Sequence, residues 1–181
     1  DICRMEDVGR GAKVGLRWAR GPFEMMNRIG VDEACRMAAA YAEIAGQGWS
    51  VPPFFSQQGS TGWQFSYVDT VVNNGVATIT INRPEAMNAL NVTVVNQLTE
   101  AVAAANANDS VHTVVLDGAG KAFVAGADVK FFVDKIRADA IPDIYDFTAE
   151  GHALLEALEN SPKTTVALTT GLALGGGLEL A

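Results

Sequence analysis

The sequence predicts an α/β domain that is preceded by a short all-α segment. Apolar residues recur at helical spacing across residues 1–50, whereas residues 66–83 hold two β-rich runs. Strand-like and helix-like stretches then alternate to the end of the sequence. Hydrophobic residues make up 49% of the 181 residues and charged residues 19%, which indicates a protein with a buried core rather than a disordered one.

The first part of the chain is predicted to be helical. Two runs, residues 1–18 and 31–46, place apolar side chains at helical spacing. The pattern breaks between them at Gly21-Pro22, and a proline fits the first turn of a helix. A stretch rich in Gly, Pro, Ser and Gln follows, which predicts a connector over 56–64. We therefore place the helical segment at 1–55.

A β-hairpin is predicted at the start of the second region, 65–181. Its two β-rich runs flank Asn74-Gly75, and this dipeptide is the strongest short hairpin signal. Within residues 76–81, alanine and isoleucine alternate with threonine, as in a strand that buries one face.

Helices and strands alternate after the hairpin. Residues 91–109 and 143–161 have helical apolar stripes, and residues 112–120 and 163–171 are predicted to be strands. The predicted inner residues of the two helices are Val94, Leu98, Val102, Phe147, Leu154, Leu155 and Leu158.

The charge and the rare residues exclude several classes of protein. The chain has 13 Lys and Arg against 21 Asp and Glu, and a net charge of −8 argues against a nucleic-acid binder. Two cysteines without a C-x-x-C pair and two histidines argue against a metal site and indicate a reducing compartment, so we expect a cytoplasmic protein. No apolar run has the length of a membrane span.

Two glycine-rich segments are the candidate sites for chemistry. "GKAFVAGADVKFF" (residues 120–132) and "GLALGGGLELA" (residues 171–181) each follow a strand and lead into a helix. Small residues leave backbone N–H groups accessible there, and two converging N–H groups would form an oxyanion hole. Glu179 would lie beside it as a general acid or base. The alternatives are tight packing for the glycines and an exposed helical charge for Glu179.

Nucleotide-binding motifs do not account for these glycines. The phosphate-loop pattern G-x-x-x-x-G-K-[ST] fails because Ala122 follows Lys121, and no G-x-G-x-x-G with a matching acid occurs. His112 and His152 have no neighbouring metal ligand or nucleophile in the sequence. This favours histidines that are hydrogen-bonded within the fold or exposed to solvent over catalytic ones.

Three segments resemble the successive signatures of the enoyl-CoA hydratase/isomerase (crotonase) superfamily. They are "ITINRPEAMNALN", "GKAFVAGADVK" and "GLALGGGLELA", and they occur in the family's order within residues 66–181. The resemblance implies a crotonase-like spiral of β-β-α turns, incomplete in this sequence. It also implies hydration of a trans-2-enoyl-CoA to a 3-hydroxyacyl-CoA, with the acyl-CoA as substrate and no cofactor.

The resemblance assigns catalytic roles by position. The amides of Ala125 and Gly176 would hold the thioester oxygen, and Glu179 matches the first of two catalytic glutamates. The family's second glutamate and the C-terminal helices that help to form trimers lie further along the chain than Ala181. We therefore expect residues 1–181 by themselves to be inactive and the full-length protein to be a homo-oligomer.

The resemblance also implies where the acyl-CoA binds. Lys130 and Lys121 are candidate cations for the anionic CoA, with a solvated surface charge as the alternative for both. The Arg83–Asn88 loop, which includes Met87, is expected near the acyl-CoA pocket. The residues expected to contact the acyl-CoA are Met87, Ala125, Gly126, Ala127, Asp128 and Lys130.

Several functions are compatible with this resemblance. Isomerase, thioester hydrolase and decarboxylase chemistry use the same oxyanion hole, and Glu179 favours hydratase. A catalytically incomplete module that binds CoA or supports assembly is the alternative from a different class. Acyl chain length is not predicted.

The first 55 residues carry a second resemblance. "GLRWARGPFEMMNRIGVDEA" (residues 15–34) is similar to the end of the helical C-terminal domain of 3-hydroxyacyl-CoA dehydrogenases, and departs from it at Asn27, where that family usually has Asp. The order of the two pieces implies a fragment of a bifunctional fatty-acid β-oxidation protein. NAD would then bind to a dehydrogenase part that precedes Asp1, and the GPFE loop would be a helix-packing or dimer element.

Overall fold

The computed structural model describes residues 2–46 and 48–181. Asp1, the first residue of the predicted helical segment, and Gln47, in the Gly- and Pro-rich stretch, lie outside the described residues. The chain divides into two compact units, Asp1–Phe65 and Ser66–Ala181. Each unit is described by itself below.

The first unit is helical, as its apolar spacing predicts. Helix α1 (Met5–Arg10) continues as a π-helix (Gly11–Gly15). After a break come α2 (Pro22–Ile29), α3 (Val31–Ile44) and α4 (Pro53–Gln58). Pro22 occupies the first turn of α2, and α4 extends across the predicted boundary between residues 55 and 56.

The GPFE segment has a helix-packing role in this structure. The Glu24 carboxylate accepts hydrogen bonds from the Gly21 N–H at 3.0 Å and the Lys13 ammonium at 2.7 Å. A Cβ added at Gly21 would lie 2.7 Å from the Cα of Gly9, so the close approach of α1 to the start of α2 requires glycine at position 21. The alternative dimer role stays a prediction.

Aromatic packing explains why α4 belongs to the first unit. The rings of Phe23, Phe54, Phe55 and Trp63 lie with centroids 4.5 to 6.2 Å apart. The side-chain amide of Asn27 accepts from the Trp63 N–H at 2.7 Å and donates to the Trp63 carbonyl at 2.8 Å. An ionised aspartate would accept the first bond but could not donate the second.

The second unit contains two sheets. Their strands are β1 (Val68–Asn73), β2 (Val76–Ile81), β3 (Thr113–Gly118), β4 (Ala122–Val124), β5 (Thr164–Leu168) and β6 (Leu172–Ala173). A four-stranded sheet has the order β1-β2-β3-β5, in which β1 is antiparallel to β2 and the other neighbours are parallel. A two-stranded parallel sheet joins β4 and β6.

The predicted hairpin is confirmed. Asn73 pairs with Val76, and the two residues between them, Asn74 and Gly75, have φ values of 48° and 77°. Two positive φ values in a two-residue connection are those of a type I′ turn, whose twist matches that of the strands. The alternation in β2 is also confirmed, since its apolar residues from Ala77 to Ile81 are at most 1% exposed.

The helices of this unit cover the sheets and form repeating turns with them. A 3₁₀ turn (Pro84–Ala86) follows β2, and α5 (Val92–Ala107) packs against α7 (Ile141–Glu159). The predicted stripe of α5 and most of that of α7 are buried. The element order contains two β-β-α successions, β3-β4-α6 with α6 at Val129–Arg137, and β5-β6-α8 with α8 at Gly176–Glu179. The predicted α/β class is confirmed for this unit.

Asn88 connects the loop after β2 to the turn between β3 and β4. Its side chain is fully buried. The amide nitrogen donates to the carbonyls of Ala119 (3.0 Å) and Ala122 (2.8 Å), and the amide oxygen accepts from the Arg83 N–H (2.9 Å). Asn88 therefore satisfies three backbone groups that belong to two different loops.

We expect Asn88→Ala to lower the free energy of unfolding by about 3 kcal/mol or more, because each buried group left without a partner costs about 1–3 kcal/mol. Chemical denaturation followed by circular dichroism measures this. The control is Asn160→Ala, which removes an exposed side chain bonded to the Glu156 carbonyl and should cost about 0.5 kcal/mol or less. Equal losses from the two variants would contradict the role given to Asn88.

Candidate functional site

The two glycine-rich segments lie against each other, as the sequence predicts. Gly126 has a φ of +91°, and a Cβ added there would lie 3.1 Å from the Leu174 carbonyl oxygen. Gly175 has a φ of +50°, and its added Cβ would lie 3.8 Å from the Cα of Gly126. A Cβ at Gly177 would collide with the Val124 carbonyl. Glycine is thus required for the close approach of the two backbones.

The N–H of Ala125 is not available to a ligand in this structure, contrary to the predicted donor role. It donates to the carbonyl of Met87 at 3.1 Å and so ties the β4 end to the loop before α5. An oxyanion donor in this segment would therefore have to be another residue.

Ala127 offers the N–H that Ala125 does not. Leu90 donates to the Gly126 carbonyl (2.8 Å) and accepts from the Asp128 N–H (2.7 Å), which makes Ala127 the residue paired with Leu90 in a parallel bridge. In a parallel bridge of this kind, the residues on either side of Ala127 make the hydrogen bonds to Leu90. Ala127 itself directs its N–H away from Leu90. Within the described residues, the Ala127 N–H has no hydrogen-bond acceptor.

Gly176 presents a second N–H near the same place. It is the first residue of α8, and its N–H has no acceptor in residues 2–46 or 48–181, as expected at a helix start. A Cβ added at Gly176 would lie 3.3 Å from Leu90 Cδ1 and 4.0 Å from Glu179 Oε2. The Glu179 carboxylate therefore lies beside Gly176, one turn into the helix.

A cleft of about 230 Å³ brings these groups together. Ala127, Gly176 and Glu179 all line it, so two amide donors and one carboxylate border a single cavity. The remaining wall is mostly apolar and comes from the loop before α5, from helices α5, α6 and α7, and from the end of α8. Its apolar members are Leu90, Val95, Phe132, Phe147, Leu154, Leu155 and Leu180.

Asp128 lies outside the lining of this cleft. Its carboxylate caps α6 by accepting from the Lys130 N–H at 3.1 Å, and it pairs with the Arg83 guanidinium at 2.9 Å. Arg83 also donates to the Ala89 carbonyl at 3.1 Å, which holds the loop before α5 against the start of α6. Asp128 thus has structural contacts in this structure. Its contact with acyl-CoA stays a prediction, and Asp128 is not among the residues that line the cleft.

Lys130 and Met87 also lie outside the lining of the cleft. The Lys130 side chain is exposed and borders a separate depression with Asp128, and Met87 is 54% exposed on its loop. Their contact with CoA stays a prediction. Lys121 is likewise exposed.

His152 is a cleft residue that sequence reasoning missed. It lies on α7 with Thr148 and Leu155, and all three line the cavity that Glu179 borders. The available signal was its spacing, because residues three or four positions apart share one face of a helix, and Leu155 was already predicted to face inward. Without the fold, this spacing could not tell a cavity wall from a packed face.

Two kinds of feature are absent from the described residues. No three His, Cys, Asp or Glu side chains in residues 2–46 and 48–181 come together in a metal-binding group. No helix in the same ranges is long and apolar enough to cross a membrane.

Sequence comparisons find relatives for the second unit. Residues 76–181 match the family described as Enoyl-CoA hydratase/isomerase. The chain is 42% identical over 106 residues to a probable enoyl-CoA hydratase, echA8, of Mycobacterium bovis, which covers 59% of this chain and 39% of the relative. It is 39% identical over 107 residues to a crotonyl-CoA hydratase of Syntrophomonas wolfei, covering 59% and 40%.

Solved structures agree with the sequence matches. The chain superposes on PA4980 of Pseudomonas aeruginosa with a TM-score of 0.62 at 34% identity, covering 66% of this chain and 50% of that one. An enoyl-CoA hydratase/carnithine racemase of Magnetospirillum magneticum gives a TM-score of 0.59 at 38% identity, covering 65% and 44%. The chain spans about two fifths of the length of the curated relatives it matches.

Proposed function

Because this chain belongs to the enoyl-CoA hydratase/isomerase family, we propose that the full-length protein hydrates trans-2-enoyl-CoA to 3-hydroxyacyl-CoA. The observation that carries the proposal is the common cleft of Ala127, Gly176 and Glu179. Two unengaged backbone donors and a carboxylate are the groups that an addition to a conjugated thioester needs.

The two amides would bind the thioester carbonyl oxygen. Water adds its oxygen to Cβ of the conjugated bond, and the electrons move onto that carbonyl oxygen as an enolate. Fixed donors stabilise this charge as it forms, and each is worth about 3–4 kcal/mol. In this proposal Ala127 takes the donor role that the sequence assigned to Ala125, because the Ala125 N–H is bonded to Met87.

Glu179 would transfer a proton in the same reaction. Addition of water requires one proton to leave the attacking water and one to reach Cα. A carboxylate beside the Gly176 amide is placed to serve one of these transfers as a general acid or base. We also propose that residues 1–181 by themselves are inactive, since the resemblance places a second catalytic glutamate further along the chain.

The remaining assignments follow from the same proposal. The hydratase part needs no cofactor, and Lys130 and Lys121, both outside the lining of the cleft, are the candidate cations for CoA. Residues 1–55 are proposed to form the end of the helical domain of a 3-hydroxyacyl-CoA dehydrogenase. NAD would bind to a part of that dehydrogenase outside residues 1–181. The glycine contact and Glu24 bonds of the GPFE segment support a packed helical domain there. We also propose that the full-length protein is a homo-oligomer and is located in the cytoplasm.

Product analysis of the full-length protein with crotonyl-CoA tests this function. We expect absorbance of the conjugated thioester to fall and mass spectrometry to show 3-hydroxybutyryl-CoA, with no release of free CoA thiol. Free thiol would indicate hydrolysis and a shifted double bond would indicate isomerisation. Binding without any turnover would favour a CoA-binding module. Each of these three results would contradict the hydratase proposal.

A further inference from the structure

Helix α7 contains a glycine that neither its backbone nor its packing requires. Gly151 lies near the middle of the 19 residues of Ile141–Glu159 and has a helical conformation. Apart from its two chain neighbours and the adjacent backbone of its own helix, a Cβ added there would meet no atom of the described residues within 4 Å. Glycine is among the least favourable residues in a helix interior, because it loses the most backbone freedom on folding.

The open space beside Gly151 belongs to the cleft. Gly151 lines the cavity together with Thr148, His152 and Leu155 from the same helix. These positions are spaced as i, i+3, i+4 and i+7, so they form one face of α7. A side chain at position 151 would project from this face into the cavity that Glu179 borders.

We propose that Gly151 sets the width of the cleft and so determines which acyl groups it accepts. The proposal rests on the proposed function, in which this cleft holds the acyl group of a CoA thioester. A missing side chain at one wall leaves room for carbon atoms of the acyl chain. A larger side chain at position 151 therefore excludes long acyl groups while short ones still fit.

The stability of the helix provides a first, independent readout. Gly151→Ala in the full-length protein raises the thermal midpoint by about 2–4 °C, because alanine is the better helix former and its methyl group meets nothing. A lower midpoint would show that something packs against Gly151 and would overturn the proposal.

Binding of saturated thioesters, which cannot be hydrated, provides the second readout. Isothermal calorimetry compares butyryl-, hexanoyl- and octanoyl-CoA on the wild type and on Gly151→Leu. In the wild type each methylene buried in the cleft tightens binding by about four-fold. In Gly151→Leu the preference for octanoyl-CoA over butyryl-CoA falls by about ten-fold or more, while butyryl-CoA binds within about two-fold of wild type.

Ala153→Leu is the matched control. Ala153 is exposed on α7 and is not among the residues that line the cleft, so this variant adds the same side chain without narrowing the cavity. Its chain-length preference equals that of the wild type. If Gly151→Leu binds the thioesters with the same chain-length preference as the wild type, the role of Gly151 is overturned but the proposed function stands. Absence of thioester binding by the wild type overturns both.

Discussion

Glu179→Gln in the full-length protein is expected to lower kcat for crotonyl-CoA hydration by about 10²–10⁴-fold, the usual contribution of a general acid or base. Glutamine keeps the size of the side chain but cannot take up or release the proton. The position of the carboxylate beside Gly176, at the edge of the cleft, is the reason for the expected loss. KM should change little, because in the proposed function backbone amides and apolar walls would hold the thioester.

The matched control is Glu156→Gln. Glu156 is exposed on α7 and does not line the cleft, so its variant removes a similar charge without touching the site. Steady-state kinetics of the two variants separate a proton-transfer role from an effect of net charge. If Glu179→Gln hydrates at the wild-type rate, Glu179 is a helix-surface charge and not a catalytic residue.

Gly176→Pro is expected to lower kcat by about 10²–10³-fold, the cost of removing one oxyanion donor. Proline lacks the N–H that Gly176 would donate to the thioester oxygen. Gly176 is the first residue of α8, where a proline is tolerated because its N–H has no partner within the helix.

The control for this prediction is Gly176→Ala. Alanine brings the same Cβ, 3.3 Å from Leu90 Cδ1, but it keeps the N–H. A substitution at Gly175 is a poorer control, because a φ of +50° at that position would strain any larger residue. Circular dichroism establishes that both variants are folded. Equal turnover by folded Gly176→Pro and Gly176→Ala would contradict the donor role.

The parts of the fold that the sequence predicted are those governed by local chemistry. Asn74-Gly75 specifies its turn through two positive φ values, and the alternation of β2 follows from the burial of one strand face. The stripe of α5 follows from helical spacing in the same way. Such signals need no knowledge of the rest of the chain.

The second sheet was not predicted, because its strands are too short to have a period. β4 has three residues and β6 has two, and both lie inside the glycine-rich segments. Their pairing depends on long-range contacts that glycine makes possible. Helix α4 was also missed, because it crosses the predicted boundary between the helical segment and the connector. Two prolines lie at its start, and aromatic contacts pack it within the first unit.

The site residue predicted in the first glycine-rich segment, Ala125, lies two residues from the amide that the structure leaves without an acceptor, Ala127. Both glycine-rich segments and Glu179 meet as expected, yet the donor next to Gly126 depends on backbone direction, which sequence does not show. The Ala125 and Asp128 N–H groups both bond to the segment from Met87 to Leu90, whereas that of Ala127 does not. Only the pairing of this segment distinguishes the three amides.

The most direct test of this account is a crystal structure of the full-length protein with a bound acyl-CoA that cannot be hydrated. The account predicts that the thioester oxygen lies about 2.7–3.1 Å from both the Ala127 and the Gly176 amide nitrogens, with the acyl chain in the cleft. A thioester oxygen bonded to the Ala125 N–H, or one that lies outside the cleft, would contradict it.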